Sequence, residues 1–377
     1  MVLLDRFVEL CREKGPELAA RLAPEAQSET EDLWAEAARG RWHELPQAAQ
    51  DRSRLYAVDG SGHTVALNSG FYIVVAQAFL AGPTEDDASA EVDLEIADAR
   101  RNTTDISSLR DLMMRRLESQ VALDTAQRIQ HPGESVLLLD GSLYAELTHL
   151  SLSYGWGVTF GVGLNGGRAV AAQPGRVEQT LEAYVQLSRW SAEHDLLVLG
   201  VSKTTRAHFM ARLMEQDGLP TDEGRPSDPE LLYRWLTGPG YSHPILLGAA
   251  ELGGVPLQPE AEELLEACPA MVSLYVRPAP NDDPLRIDVP ASALGLGASF
   301  QDLEQEWVAD PRSIEPIVAL VLAMYGGHTV HNAPLYLVDR KVRLSRRTVE
   351  QVYLPVLARV ANVPLSVDRS RRRFPAN

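Results

Sequence analysis

The stretch that decides the fold runs from residue 54 to residue 81 and reads RLYAVDGSGHTVALNSGFYIVVAQAFLA. Its apolar residues Leu55–Val58 predict a short buried strand, and the DGSG that follows predicts a turn. Gly70–Leu80 is rich in β-branched and aromatic residues, so it predicts a second strand. The main domain therefore begins with consecutive strands, which is typical of an antiparallel meander.

Strands and helices alternate further along the chain. Apolar and acidic residues alternate over Ala90–Asp98, which predicts a half-exposed strand with its acidic residues on the open face. An amphipathic helix is predicted over Asp105–Gln130, and a wholly apolar strand over Val136–Leu139. The helix predicted over Gln179–His194 leads into a buried strand at Leu196–Ser202. A meander followed by this alternation predicts a mixed β-sheet flanked by helices, in the α/β class.

Composition narrows the class of protein. The chain has 377 residues, 45% of them hydrophobic, and a formal net charge of −17. Two cysteines, Cys11 and Cys268, are too few for a disulfide framework, so we expect a reducing, cytoplasmic environment. Acidic residues interrupt the apolar N-terminus, which argues against a secretory signal. No apolar run approaches the roughly 20 residues that a membrane span requires.

Three regions are predicted along the chain. Residues 1–50 carry helical patterns and form an N-terminal helical extension. Residues 51–350 form the main domain, in which 217–300 is an insertion or excursion that begins with a stretch rich in Pro, Gly and Asp. Residues 351–377 form a C-terminal helix and a basic tail.

Charge is distributed unevenly. From Arg340 to the C-terminus there are ten basic and two acidic residues, whereas the rest of the chain carries 25 basic and 50 acidic residues. A basic segment on an acidic body can attract a polyanion locally while the body repels non-specific binding. The alternative interpretation is that the RSRRR cluster at 369–373 is a solvated tail.

Two aspartates occupy equivalent positions in similar short sequences. Asp59 lies in AVDGSG and Asp140 in LLDGSL, each at the end of an apolar strand. Lys203 follows a third such strand, and ligands of open α/β sheets bind at this edge. If the strands are neighbours, the two like charges require a cation, and their hard oxygen ligands favour Mg²⁺ or Mn²⁺. The alternative is that each Asp-Gly pair is an ordinary turn.

Further candidates flank this pair. Glu118 lies beside the apolar line of the predicted helix, where it is either a metal ligand or a solvated residue. Lys203 can stabilise charge on a scissile phosphate, or can simply keep an edge strand soluble. The sequence contains no HExxH, no paired CxxC and no GxxxxGK[ST] phosphate loop.

The order of these motifs resembles the NurA nuclease family, the partners of HerA-type hexameric DNA translocases. The motifs are AVDGSG, the helix with Glu118, LLDGSL, GVSKT at Lys203 and HNAPLYLVDRKVRLSR at 331–346, and they span about residues 50–350. The resemblance implies an RNase H-like core, a homodimer and Mn²⁺-dependent DNA cleavage. It also implies single-strand endonuclease and 5′-to-3′ exonuclease activity, in DNA end resection and repair.

The resemblance also implies roles for individual residues. Asp59, Glu118 and Asp140 would be metal ligands, and Lys203 would contact the DNA backbone. The last ligand is ambiguous, because the family usually shows Tyr-Pro, Pro-Leu and then Ala-His before a basic strand. Alignment on Pro334-Leu335 places His331 at the tyrosine position and Asp339 at the position of the metal-binding histidine. DNA contacts are expected from the basic residues of the same block, Arg340, Lys341 and Arg343.

Two other functions are consistent with the sequence. A non-catalytic adaptor of a DNA translocase would explain the aspartate at position 339, which would then mark lost activity. A phosphotransferase of the actin and sugar-kinase kind would use DGSGHT and DGSL around ATP phosphates, although no second glycine-rich adenosine loop is evident. Mn²⁺-dependent cleavage would exclude the adaptor, and ATP binding without a partner would favour the phosphotransferase.

Overall fold

Two N-terminal helices precede a long alternation of strands and helices. The computed structural model describes residues 2–22, 29–50, 54–98, 106–154, 158–159, 170–171, 174–203, 207–221, 224–249, 257–301 and 304–368. The strands are β1 (Trp42–His43), β2 (Arg54–Ala66), β3 (Phe71–Ala81), β4 (Ser89–Asp98), β5 (Ser135–Asp140), β6 (Val158–Thr159), β7 (Val170–Ala171), β8 (Leu197–Ser202), β9 (Gly240–Ser242), β10 (Ile245–Leu247), β11 (Met271–Arg277), β12 (Leu285–Pro290) and β13 (Glu306–Trp307). The helices are α1 (Val2–Leu22), α2 (Glu29–Gly40), α3 (Ile106–Ala126), α4 (Leu143–Ser153), α5 (Pro174–His194), α6 (Phe209–Gln216), α7 (Asp228–Glu230), α8 (Pro259–Glu266), α9 (Glu315–Ala323), α10 (Ala333–Val342), α11 (Arg346–Thr348) and α12 (Leu354–Ala361).

Within the described ranges, eleven strands form one mixed sheet. Its order is β1-β9-β11-β12-β8-β5-β2-β3-β4, with β10 paired to β11 and β13 paired to β10. Strands β2, β5 and β8 are parallel neighbours, and β3 and β4 extend the sheet from β2 as an antiparallel meander. The order β4-β3-β2-β5-β8 is that of an RNase H-like core. The predicted α/β class, a mixed sheet flanked by helices, is confirmed.

Helices cover both faces of the sheet because its central strands are apolar on both sides. In β5, Leu137 belongs to the core packed beneath α3 and α5, whereas Leu138 belongs to the core packed beneath α9 and α10. Both leucines are fully buried. Successive side chains of a strand point to opposite faces, so an uninterrupted apolar run is required where both faces are covered.

The first hairpin is longer than its sequence predicts. DGSG does not form a turn, since β2 continues through it to Ala66 and remains paired with β3. The chain instead reverses after Leu67, where Gly70 adopts a φ of 82° that favours glycine. The parallel pairing of β2 with β5 nevertheless stops at Val58. Asp59 is therefore the first residue beyond the parallel part of the sheet.

The covered and exposed sides of the edge strand β4 are the reverse of those predicted. The predicted strand is present, but its acidic side faces the helices, where Arg116 contacts Asp93 at 2.8 Å and Arg176 contacts Glu95 at 2.7 Å. Its apolar side is exposed, with Val92 56% accessible. Alternation predicted the strand, but which side is covered depends on the arginines of α3 and α5.

Residues 217–300 extend the sheet rather than leave it. Strands β9, β10, β11 and β12 all come from this stretch, and β12 pairs with β8 next to the parallel strands. Every residue of β11 and β12 is buried. The assignment of 217–300 as an insertion stays a prediction, as do the other predicted domain boundaries.

The two ends of the chain differ from the body. The apolar spacing in α1 does mark a helix, but Leu4 and Phe7 are 65% and 61% exposed. The basic cluster predicted at 369–373 lies outside the described residues. Among the described helices, none is both long enough and apolar enough to cross a lipid bilayer.

Candidate active site

The two predicted aspartates lie side by side at the carboxyl edge of the sheet. The register of β2 and β5 runs in parallel from Arg54 opposite Ser135 to Val58 opposite Leu139. Asp59 and Asp140 are the next residue on each strand, and strands lie about 4.8 Å apart. The sequence places them there because both strands stay apolar up to the edge.

Asp59 lies in an environment that disfavours its charge. Burial and the nearby Asp140 raise its pKa from 3.8 to about 7, and Asp339 adds to this rise. The N–H of Gly60, which donates to Asp59 Oδ1 at 2.8 Å, and the ammonium of Lys203 act in the opposite direction. Asp59 is therefore a carboxylate that lacks sufficient positive charge nearby.

Glu118 reaches the same place from α3. Leu117 and Val121 pack this helix against the sheet, which brings Glu118 over Gly60 of β2. A methyl group at Gly60 would collide with the Glu118 carboxylate, so glycine is needed for this close approach. Burial, followed by the charge of Asp59, raises the pKa of Glu118 to about 8. We call Asp59, Glu118 and Asp140 the acidic site.

Lys203 forms an ion pair with Asp140. It follows β8, and its Nζ donates to Asp140 Oδ2 at 2.9 Å. Burial opposes its charge, but the bond to Asp140 and the charges of Asp59 and Asp339 raise the pKa of Lys203 above its ordinary value. A fixed positive charge therefore lies at the end of the third parallel strand, as the sequence predicts.

One neighbour of Glu118 was missed by sequence reasoning. Arg115 lies one helical turn earlier on α3, and its guanidinium approaches Glu146 of α4 at 3.4 Å. The charge of Glu146 raises the pKa of Arg115, while Arg115 lowers that of Glu118. The i, i+3 spacing of Arg115 and Glu118 was the available signal.

The structure separates the two candidates for the last ligand. Asp339 lies on α10, across the sheet from α3, and its charge raises the pKa of both Asp59 and Lys203. His331 instead faces Asp282, with 3.6 Å between Nδ1 and Oδ1. Asp339 lies within α10, whereas His331 precedes this helix. Helical geometry thus brings Asp339, rather than His331, towards the acidic site.

The basic residues predicted to contact DNA lie at the end of α10. Lys341 lies over the Phe79 ring at 5.4 Å, and Arg340 over the Tyr336 ring at 5.8 Å. Arg343 is exposed directly after the helix. All three therefore project from the same short segment as Asp339.

The donor chemistry of the acidic site suits a hard divalent cation. Its oxygens are those that Mg²⁺ and Mn²⁺ prefer, and the raised pKa values show carboxylates that a cation would stabilise as anions. In the ranges that the structure describes, no three His, Cys, Asp or Glu side chains converge tightly enough to form a ready-made cation site.

The fold and this edge define an α/β protein with an acidic, lysine-containing site at the end of parallel strands. The NurA domain profile matches residues 53–300. This range includes the acidic site and Lys203 and ends before α10. The chain belongs to the NurA family, as its motifs predict. No curated protein matches it by sequence.

Solved structures share the fold at low identity. The NurA nuclease from Sulfolobus solfataricus is 17% identical, with 96% of this chain and 98% of that chain covered and a TM-score of 0.57. A structure of NurA with manganese gives 12% identity, 95% and 98% coverage and a TM-score of 0.53. A structure of NurA bound to dAMP and manganese gives 12% identity, with 94% of this chain and 96% of that chain covered and a TM-score of 0.53.

Proposed function

We propose that this protein is a metal-dependent DNA nuclease. The observation that carries the proposal is the placement of Asp59 beside Asp140, with Glu118 above them, in a chain of the NurA family. Clustered carboxylates at a strand edge, with a lysine alongside, suit hydrolysis of a phosphodiester. The relatives with manganese and with dAMP support the same chemistry.

The acidic site would hold Mn²⁺, or Mg²⁺ in its place. When bound, the cation would activate water and stabilise charge on the leaving oxygen. Glu118, whose pKa is about 8, retains a proton near neutral pH in the metal-free protein. It must release that proton to act as a ligand, so metal affinity should rise with pH.

The remaining residues would bind and orient the substrate. Lys203 would attract a phosphate oxygen to the edge where Asp140 now accepts its hydrogen bond. Arg340, Lys341 and Arg343 would hold the DNA backbone from the end of α10. We propose Asp339 as the last ligand and keep His331 as the alternative. Of these two residues, Asp339 is the one whose charge raises the pKa of Asp59.

The finer activity follows from the family resemblance. We propose single-strand endonuclease and 5′-to-3′ exonuclease activity, carried out in the cytoplasm by a homodimer with a HerA-type translocase during end resection and repair. Co-purification with such an ATPase tests the partnership, and light scattering of the purified chain tests the dimer.

Cleavage of labelled single-stranded DNA tests the function. The purified chain is incubated with 5′- or 3′-labelled substrate in Mn²⁺, Mg²⁺ or EDTA. Asp59→Asn serves as the contamination control. We expect Mn²⁺-dependent products that disappear in the variant, and the label pattern then fixes the polarity. Folded wild-type protein that does not cleave, either alone or with the translocase, would refute the nuclease and favour the adaptor.

A further inference from the structure

A buried ion pair lies on the strand next to β8. Arg286 and Asp288 lie two residues apart on β12, and therefore on the same face of the sheet. They are 6% and 0% exposed. Arg286 Nε donates to Asp288 Oδ1 at 2.9 Å, and Ser273 Oγ of β11 donates to the same oxygen at 2.7 Å. Burying two charges carries a desolvation cost for each ion, so this arrangement calls for a reason.

The other oxygen of Asp288 contacts the segment that follows Asp140. Asp288 Oδ2 accepts hydrogen bonds from Ser142 Oγ and from the backbone N–H of Tyr144, the latter at 3.2 Å. Ser142 also begins α4, since its Oγ accepts the N–H of Ala145 at 3.0 Å. The Ser142 hydroxyl therefore donates to Asp288 and accepts from the helix, which leaves it one orientation.

Strand β8 contacts the same turn through its backbone. Gly141 adopts a φ of 130°, and its N–H donates to Val201 O at 2.9 Å. A methyl group at Gly200 would lie 2.8 Å from Gly141 O, so β8 can pass this close only with glycine there. The backbone immediately after Asp140 is thus held by β8 on one side and by Asp288 on the other.

We propose that Asp288 is a positioning residue for Asp140. By fixing Ser142, it fixes the turn that directs the Asp140 carboxylate towards Asp59 and Lys203. Arg286 and Ser273 hold Asp288 so that its second oxygen faces the turn. Asp288 touches no substrate in this role and acts only through the backbone of residues 140–142. The proposal rests on the proposed function for its metal and cleavage readouts, but not for its structural one.

Ser142→Ala is the principal variant. It removes the hydrogen bond to Asp288 without placing an unpaired charge in the core. Ser227→Ala is its matched control, because Ser227 likewise caps a helix from the residue before it and accepts the Glu230 N–H at 3.3 Å. Loss of such a cap destabilises the helix in either case. Ser142→Thr, which retains the hydroxyl, tests rescue.

Three measurements are made on the full-length proteins. Calorimetry measures Mn²⁺ affinity in the absence of DNA. Steady-state cleavage separates kcat from KM. A metal-free crystal structure reports the distance from Asp140 Oδ2 to Lys203 Nζ, which is 2.9 Å in the wild type. Outer-shell hydrogen bonds to metal ligands are typically worth about 10- to 100-fold in affinity or activity.

We expect Ser142→Ala to weaken Mn²⁺ binding and lower kcat by about tenfold or more, with little change in KM. Asp140 should shift away from Lys203, and Ser142→Thr should restore the wild-type values. Ser227→Ala should change none of the three. Equal Mn²⁺ affinity, kcat and Asp140 position in the wild type and Ser142→Ala would overturn the proposal.

Failure of the proposed function gives a different pattern. If the wild type neither binds Mn²⁺ nor cleaves DNA, the nuclease proposal fails, and the crystal structure alone decides the positioning role. Displacement of Asp140 in Ser142→Ala would then uphold it. An unmoved Asp140 would refute it.

Discussion

Replacement of Asp59 by asparagine should stabilise the metal-free protein while it abolishes cleavage. Asparagine retains the shape of the side chain and an oxygen to accept the Gly60 N–H. It removes the charge that lies beside Asp140 in a partly buried site. The free energy of unfolding at pH 8 should therefore rise, in contrast to most substitutions of partly buried residues.

The magnitude follows from the raised pKa. Burial and Asp140 move the pKa of Asp59 from 3.8 to about 7. At about 1.4 kcal/mol per pKa unit, this difference corresponds to roughly 4 kcal/mol as an upper bound. Asp59 is only partly buried, so solvent screening reduces the expected gain to about 1–3 kcal/mol.

The sign can be checked against pH. Because the folded-state pKa is the higher one, the folded protein binds more protons than the unfolded chain between about pH 4 and pH 7. The free energy of unfolding therefore falls as pH rises through this window. At pH 5 the folded carboxyl is still protonated, so Asp59→Asn should gain less than half of what it gains at pH 8.

Urea denaturation in EDTA at pH 5 and pH 8 measures the effect. The wild type is compared with Asp59→Asn and with Asp86→Asn, in which the replaced aspartate is exposed in the turn after β3. The m-value should not change, so the midpoint reports stability directly. Added Mn²⁺ should stabilise the wild type more than Asp59→Asn. A gain at pH 5 that equals the gain at pH 8, or no gain at pH 8, would refute the reasoning.

Three further predictions concern the same edge of the sheet. Gly60→Ala should lower cleavage at least tenfold, because the new methyl group displaces the Glu118 carboxylate; measured rates are compared with those of Glu118→Gln. Lys203→Ala should lower cleavage and move the rise of its pH–rate profile to higher pH, because the lysine lowers the pKa of a carboxyl in the acidic site; Lys203→Arg should keep the wild-type profile. Asp339→Ala should weaken Mn²⁺ binding measured by calorimetry, whereas His331→Ala should not, and the reverse result would reassign the last ligand.

The Gly60→Ala prediction has a matched control on the same strand, at Gly62. A methyl group at Gly62 would lie 2.6 Å from Arg110 Cγ, which is part of a flexible side chain. Gly62→Ala therefore introduces similar crowding beneath α3 but spares Glu118. Equal loss of cleavage in Gly60→Ala and Gly62→Ala would point to general damage of the helix packing rather than to Glu118.

Much of the site was predictable because it depends on local patterns. An apolar run that ends in aspartate signals a strand and its edge at once, and two such runs indicated that Asp59 and Asp140 would lie close together if their strands were neighbours. Lys203 followed from the same pattern on a third strand. The amphipathic spacing of α3 placed Glu118 beside the core line. Each of these signals lies within about ten residues of the group that it concerns.

Other features could not be predicted because they depend on contacts distant in sequence. Asp288 contacts Ser142 across 146 positions, and no short motif marks it. DGSG continues as a strand because β3 pairs with it throughout, which overrides its turn preference. The alternation of β4 predicts an open acidic side, whereas the ion pairs of Asp93 with Arg116 and of Glu95 with Arg176 hold that side against the helices.

The sequence by itself determined the α/β class, the order of its strands along the chain and the carboxylates at one edge of the sheet. Local hydrophobic periodicity specifies these features, because it fixes which segments must be buried. Only the tertiary structure decided that strands β9 to β12 extend the sheet, that the charge of Asp339 acts on Asp59, and that Asp288 contacts Ser142. Those outcomes depend on which strands become neighbours and which helix covers each face, and packing settles that for the chain as a whole.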